Sequence, residues 1–343
     1  MTALDSAVRD PASATEVLDR CRELVGPALR EAVERMHPWT GEMAAYSFGW
    51  CEVGGVPAVA PGGKGLRQAL AVLGAESAGA PGESGVPAAV AVELVHAFSL
   101  LHDDIMDGDT TRRRRPAVWK AYGTGPAVLA GDALFALAVT TLAGAGPDAV
   151  RLLSVALGDL VRGQADDLLF AARPWSGPER VRPAEYRAMA EHKTGSLLGA
   201  ALALGALLGG APPATVSALD RAGRHLGVAF QVVDDVLGIW GEPAVTGKPV
   251  LADLRERKKT LPVLCALDSP DPAARRLAAL MESAGDPAEA AELIAAAGGR
   301  TAALAEARRH IDAGEAALTD ASLDAGAAAE LRSVAGFLVR RKL

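Results

Sequence analysis

The chain has 343 residues, half of them hydrophobic but only 4% aromatic, and a formal net charge of −7. This length and apolar content suffice for a large core in one or two domains, and the acidic balance argues against a general nucleic-acid binder. Three scattered cysteines (Cys21, Cys51, Cys265) fit neither a disulfide framework nor a zinc pattern and point to a reducing compartment.

The N-terminal stretch "MTALDSAVRDPASATEV" lacks an apolar core and carries acids early, so no signal peptide is expected. Residues 1–39 read as N-terminal helices. Loops are signalled by "GGVPAVAPGG" (54–63), "GAPGESGVP" (79–87), "RPWSGPERVRP" (173–183), "GEPAVTGKP" (241–249) and "DSPDP" (268–272). Between them, Ala/Leu-rich segments with helical periodicity predict helices over 88–107, 125–145, 148–172 and 214–240. The uncharged stretch "LLGAALALGALLGGAPPA" (197–214) has a continuous Leu/Ala part of about a dozen residues, short of the about 20 needed to span a bilayer. It reads as a helix buried on all sides, so no membrane span and a cytoplasmic location are expected. Residues 268–343 read as peripheral helices ending in the basic "RRKL". With no strand alternation, fixed-period repeat or composition break, 1–343 is read as a single all-α domain.

Two acidic clusters interrupt the apolar helices. In "LLHDDIMDGDTTRRRRP", Asp103 and Asp107 lie four residues apart and share a helix face, with Asp104 beside them. Like charges on one turn repel, and carboxylates alone select hard magnesium over zinc. In "FQVVDDVLGIWGEP", Asp234 and Asp235 repeat the pair, with Gln231 one turn earlier and Gly238 where the first cluster has Asp107. Two such helices facing one another would bind several magnesium ions and a diphosphate between them.

"DDIMD" followed by "TTRRRRP", then "HKTGSL", "FQVVDD", "GKPVLADLRERKKTLP" and an earlier "GGKGLR", in this order, resemble the trans-isoprenyl diphosphate synthases, most of all geranylgeranyl diphosphate synthase. The resemblance covers about residues 40 to 265. It implies an isoprenoid synthase fold, helices around a large central cavity, and a homodimer. It also implies condensation of isopentenyl diphosphate with an allylic diphosphate through ionisation, attack by the double bond and loss of a proton. Such chemistry requires neutralising the leaving diphosphate, stabilising the cation and excluding water.

Carried over by that resemblance, Asp103, Asp107 and Asp234 are the metal ligands, for three magnesium ions with the diphosphate. Asp104 supports the first pair, and Asp235 acts through ordered water or Lys/Arg contacts. Arg112, Lys193, Lys248 and Lys258 grip the allylic diphosphate, a planar guanidinium suiting a bidentate hold. Thr194 and Gln231 place neutral oxygens beside the cation, while Arg114 and Arg115 read as solvated charges. Lys64, Arg67, His96 and Arg113 form the isopentenyl diphosphate site, and Gln164 and Asp167 line the allylic side. The "GGKGLRQ" loop departs from the family: Gly65 stands for a common Arg and Gln68 for a common Pro.

The tail should run along the Asp103 helix, where residues four and five positions upstream lie roughly 6 to 7.5 Å deeper. Those are Ser99 and Phe98. An aromatic at only the deeper position resembles the twenty-carbon type, so geranylgeranyl diphosphate is the expected product. Farnesyl or geranylfarnesyl diphosphate synthases and a class I terpene cyclase on the same fold are the alternatives; a cyclase needs no isopentenyl diphosphate pocket. Gly238 is expected to mark a helix end, and Gly238→Asp to change turnover little.

Overall fold

The computed structural model describes residues 13–58, 63, 65–242, 250–319 and 321–339. Among these the only strands are Thr111–Arg112 and Arg115–Pro116, paired antiparallel in a tight hairpin. Everything else regular is helical: α1 (Ala14–Glu34), α2 (Pro38–Phe48), α3 (Leu66–Ser77), α4 (Val86–Met106), α5 (Val118–Tyr122), α6 (Thr124–Ala143), α7 (Pro147–Ala172), α8 (Pro183–Ala190), α9 (Ser196–Leu208) and α10 (Pro213–Trp240). Shorter helices over Ala252–Arg255, Leu261–Leu267, Pro272–Glu282 and Pro287–Ala296 precede Gly299–Thr319 and Ala325–Val339. The four helices expected from periodicity are present, with ends shifted by one or two residues because caps, not periodicity, set the termini. Ser13 and Glu16, for example, form a capping box that starts α1.

Helix α9 is the buried centre: nearly every side chain from Ser196 to Ala206 is enclosed, as its uncharged sequence implied. It packs against α3, α7 and α10, while α4 packs against α6 and α3. The C-terminal segment is less peripheral than expected. Gly299–Thr319 lies along α10 and buries Ala303, Glu306 and Ala307. The described cysteines are free thiols.

Between α8 and α9 the chain makes a π-helical turn, Glu191–Gly195. Two glycines bring neighbours onto it. A Cβ at Gly163 of α7 would overlap the backbone of Lys193, and one at Gly227 of α10 would overlap Gly195. Close backbone approach of this kind is available only to glycine, and it presents Lys193 and Thr194 to the space between α7, α10 and the end of α4.

Two helices, Gly82–Met106 and Thr124–Ala143, are long and apolar enough to cross a membrane by length and composition. They are not the stretch singled out from the sequence. The first is largely a core helix, whereas α6 leaves Val128, Leu129 and Phe135 exposed.

Candidate active site

Adjacent residues on an α-helix point about 100° apart, and both Asp pairs divide accordingly. On α4, Asp103 is half-buried and its carboxyl is pushed up to about 6, first by burial; Lys193 pulls it down and Asp107 pushes it up. Asp107, the last-turn cap of α4, is exposed, and burial also raises its carboxyl against the pull of Lys193 and Lys258. These cations therefore share one field with the first acidic cluster. Asp104 turns the other way: only 3% exposed, it accepts hydrogen bonds from Arg112 Nε (2.9 Å) and from Arg112 NH2.

Arg112 is anchored on Asp104, with Asp109 3.6 Å away. Two of its three nitrogens are committed, so NH1 is the one left to face a diphosphate. The hairpin ending α4 makes this possible by folding Arg112 back over the helix, with Arg113 and Arg114 in left-handed backbone conformations at its turn. Arg115 is not a solvated charge either. It donates to the Tyr46 and Cys51 carbonyls (3.0 and 2.7 Å) and stacks 4.0 Å over the Tyr46 ring.

On α10, Asp234 is half-buried and its charge reaches Arg67. Asp235 is 5% exposed and fully engaged by the protein. Its Oδ2 accepts the Tyr186 hydroxyl and the Leu261 N–H (2.9 Å), and its Oδ1 accepts Gln231 Nε2 (3.1 Å). Its protein partners among the described residues are these three neutral donors. Burial nonetheless pushes the Asp235 carboxyl up to about 7, the three bonds pulling it back only in part. The network continues outward, since Gln231 Oε1 accepts the Thr194 hydroxyl at 2.9 Å. Thr194 and Gln231 are thus oriented through Asp235, as a line of fixed dipoles at the cavity wall.

Gly238 stands two residues before the end of α10 at Trp240, which Gly241 of "GEP" caps. The reason for a glycine lies elsewhere in the chain: an added Cβ would fall inside the carboxylate of Asp253, which is buried. A carboxylate from "VLADLRERK" therefore occupies the ground that a side chain at 238 would need, so a substitution there requires Asp253 to shift.

The remaining assignments fall on the walls. Lys193 Nζ pairs with Asp167 Oδ2 at 2.6 Å, joining the π turn to α7. Both amide atoms of Gln164 are enclosed without a partner among the described residues, as expected of a group awaiting a ligand. Lys258 pairs with Glu256 at 2.8 Å, near Asp107. Its neighbour Lys259 is buried over the Trp175 ring at 4.1 Å, away from the site. Lys64 and Lys248 lie outside the described residues.

A second corner gathers cations. Arg67 NH1 lies 3.2 Å from His96 Nε2, and Arg67 Nε is enclosed with no hydrogen-bond partner. Burial, reinforced by Arg67, Arg113 and Arg112, holds His96 well below its usual range. Arg113 is exposed at the open side. Sequence reasoning missed Glu93, which faces these arginines, and Tyr186 and Asp253. Glu93 stands one turn before His96 on an assigned helix, a usable signal. Tyr186 gives none, because only folding brings it to Asp235.

Among the described residues no three carboxylate, imidazole or thiol groups converge on one point to hold a metal. The all-oxygen donor set still fits a hard divalent cation of the kind that keeps open positions for substrate phosphate. Asp103 and Asp107 would hold it on one side, Asp234 on the other.

The polyprenyl synthetase family profile matches residues 56–297. A (2E,6E)-farnesyl diphosphate synthase of Mycobacterium tuberculosis is 44% identical over 338 residues, covering 95% of this chain and 93% of the relative. A geranylgeranyl diphosphate synthase of the same organism is 45% identical over 315 residues, 89% of each chain. The crystal structure of polyprenyl synthetase from Streptomyces coelicolor A3(2) superposes with a TM-score of 0.89 at 44% identity, covering 95% of this chain and 99% of that one. The chain belongs to the polyprenyl synthetase family, with its all-α isoprenoid synthase fold, and is a trans-prenyltransferase.

Proposed function

We propose that this trans-prenyltransferase condenses isopentenyl diphosphate with allylic diphosphates and that its main product is all-trans geranylgeranyl diphosphate. The observation that carries the reading is the cationic corner of Arg67, His96 and Arg113, distinct from the two Asp pairs. A cyclase ionises one diphosphate and has no use for a second anion pocket; condensation requires one. Three magnesium ions held by Asp103, Asp107 and Asp234 would neutralise the leaving diphosphate. Lys193, Lys258 and Arg112 NH1 add positive charge on that side. The allylic C–O bond breaks, the isopentenyl double bond supplies the electrons for the new C–C bond, and a proton leaves. The Thr194–Gln231 line turns oxygen dipoles toward the cation without trapping it covalently, while Gln164 and Asp167 close the allylic side.

Product length rests on Phe98 and Ser99. The Ser99 side chain is small, and its hydroxyl folds back onto the His96 carbonyl (3.0 Å). Phe98 sits in an aromatic cluster with His102 (5.1 Å between centroids) and Phe135 (5.7 Å) where α4 meets α6. One aromatic at the deeper position supports the twenty-carbon chain. The farnesyl relative favours fifteen carbons as the second reading. The exposed apolar side chains of α6 and α7, among them Leu129, Phe135, Val161 and Leu169, support a homodimer. A cytoplasmic enzyme accords with the free thiols.

The test is incubation with isopentenyl diphosphate and dimethylallyl, geranyl or farnesyl diphosphate, with and without magnesium, followed by sizing of the dephosphorylated products. Twenty carbons as the end point, dependent on magnesium, is expected. Fifteen overturns the length, and no incorporation with any primer overturns the function. Phe98→Ala should lengthen the products.

A further inference from the structure

The cationic corner contains a carboxylate that no diphosphate-binding role calls for. Glu93 is half-buried on α4, and its Oε1 accepts the backbone N–H of Gln68 at 3.2 Å. Its charge acts on both Arg67 and Arg113. Neither arginine, however, makes an ion pair among the described residues: Arg67 has only His96 as a polar partner, and its enclosed Nε has none. Glu93 thus stands off from the guanidiniums instead of gripping them. Coulomb attraction falls only as the inverse of distance, whereas a hydrogen bond is gone beyond about 3.5 Å. A carboxylate at that remove still offsets the burial of Arg67 but consumes none of its donors.

What restrains it is the start of α3. The first N–H groups of a helix have no partner within it and favour a negative charge, and Gln68 is the third residue of α3. Gly65 caps that helix at φ +67°, and a Cβ there would overlap the Gln68 side-chain amide. The two positions are therefore matched. A side chain at 65 would expel the Gln68 amide, and a proline at 68 would have no N–H to give. They are also the two positions at which the loop departs from the common family residues.

Resting on the chain-elongating reading above, we propose that the Gln68 N–H restrains Glu93 as a stand-off counter-charge, leaving the donors of Arg67 and Arg113 open to isopentenyl diphosphate. Glu93 and Gln68 are positioning residues for the second substrate. Gln68→Pro deletes the N–H in a first helical turn, where proline is tolerated. The released Glu93 then competes for the guanidiniums, and KM for isopentenyl diphosphate rises ~3–10-fold while kcat and the allylic KM stay within about twofold. In Gln68→Pro/Glu93→Gln the competitor is uncharged, and that KM returns to the wild-type range or below. Glu93→Gln alone lowers the Tm of the ligand-free enzyme but enlarges the Tm rise on adding isopentenyl diphosphate without divalent metal, because the ligand now supplies the missing counter-charge.

An unchanged isopentenyl diphosphate KM in Gln68→Pro overturns the proposal, as does a raised KM that persists in the double variant. If the Glu93 variants do not fold, Gln68→Pro alone decides, through the split between the two KM values. A wild-type enzyme that neither incorporates isopentenyl diphosphate nor is stabilised by it would overturn the chain-elongating reading, and this inference with it. Normal wild-type incorporation with an indifferent Gln68→Pro overturns this inference only.

Discussion

The acidic ends of α4 and α10 carry the same adjacent Asp–Asp pair and complete it differently. On α4, Asp103 faces the cavity, Asp104 is held by Arg112, and the third carboxylate, Asp107, follows one turn later on the same helix. On α10, Asp234 takes the half-buried position, and Asp235 is held by Tyr186, Gln231 and the Leu261 N–H. There the third carboxylate comes from Asp253, set against Gly238 by the fold of a later segment. In each pair the outer aspartate is the more exposed one and the inner one is buried and held by protein partners. The first cluster is assembled by helical spacing, the second by tertiary packing.

Substitutions that separate outer from inner aspartates test this division. Asp103→Ala and Asp234→Ala should each lower kcat by about 10³-fold or more, since the leaving diphosphate loses its neutralisation, with circular dichroism unchanged. Equal losses in a well-folded Asp104→Ala would erase the distinction. Denaturant unfolding should show the reverse ranking. Asp235→Ala leaves three donors without their acceptor, a cost of roughly 2–4 kcal/mol. Asp104→Ala should cost about 1–2 kcal/mol, because water can reach the partly exposed Arg112.

The third positions sharpen the contrast. Gly238→Ala and Gly238→Asp should destabilise by about 1–3 kcal/mol through overpacking and reduce turnover. Asp253→Ala in the same chain should recover most of the stability lost by Gly238→Ala. A neutral Gly238→Asp would mean that Asp253 swings aside freely.

The smallest effect is electrostatic. The folded-state carboxyl of Asp103 lies at about 6, above its ordinary value, so in metal-free protein it favours the protonated form. Its contribution to stability is fully present below about pH 4 and is lost as pH rises through 6. Metal-free Asp103→Asn should therefore gain roughly 2–4 °C in Tm over wild type at pH 7 and little at pH 4. With substrate present, protons and the divalent ion compete for the same oxygens, so the magnesium requirement should rise as pH falls below 6.

Most helices and the outer site residues were legible because periodicity and i, i+4 spacing are local properties of the chain. The buried character of α9 followed from its uncharged composition. The anchoring of Arg112 and the half-burial of Arg115 were not legible for a shared reason. A run of arginines looks alike in sequence, yet the hairpin over 111–116 sends Arg112 to Asp104 and Arg115 to Tyr46. The partners of Asp235, Tyr186 and Leu261, were not legible because they come from other segments.

By itself the sequence determined the helical architecture and the two acidic helices, because each depends on residues close together along the chain, while the reaction class and the cationic corner came from ordered motifs that match a known family. Only the tertiary structure decided which member of each Asp pair is spent inward, why Gly238 is a glycine and what restrains Glu93. Those outcomes depend on which distant side chains reach the same buried volume, where a polar group must find a partner and two groups cannot share one place.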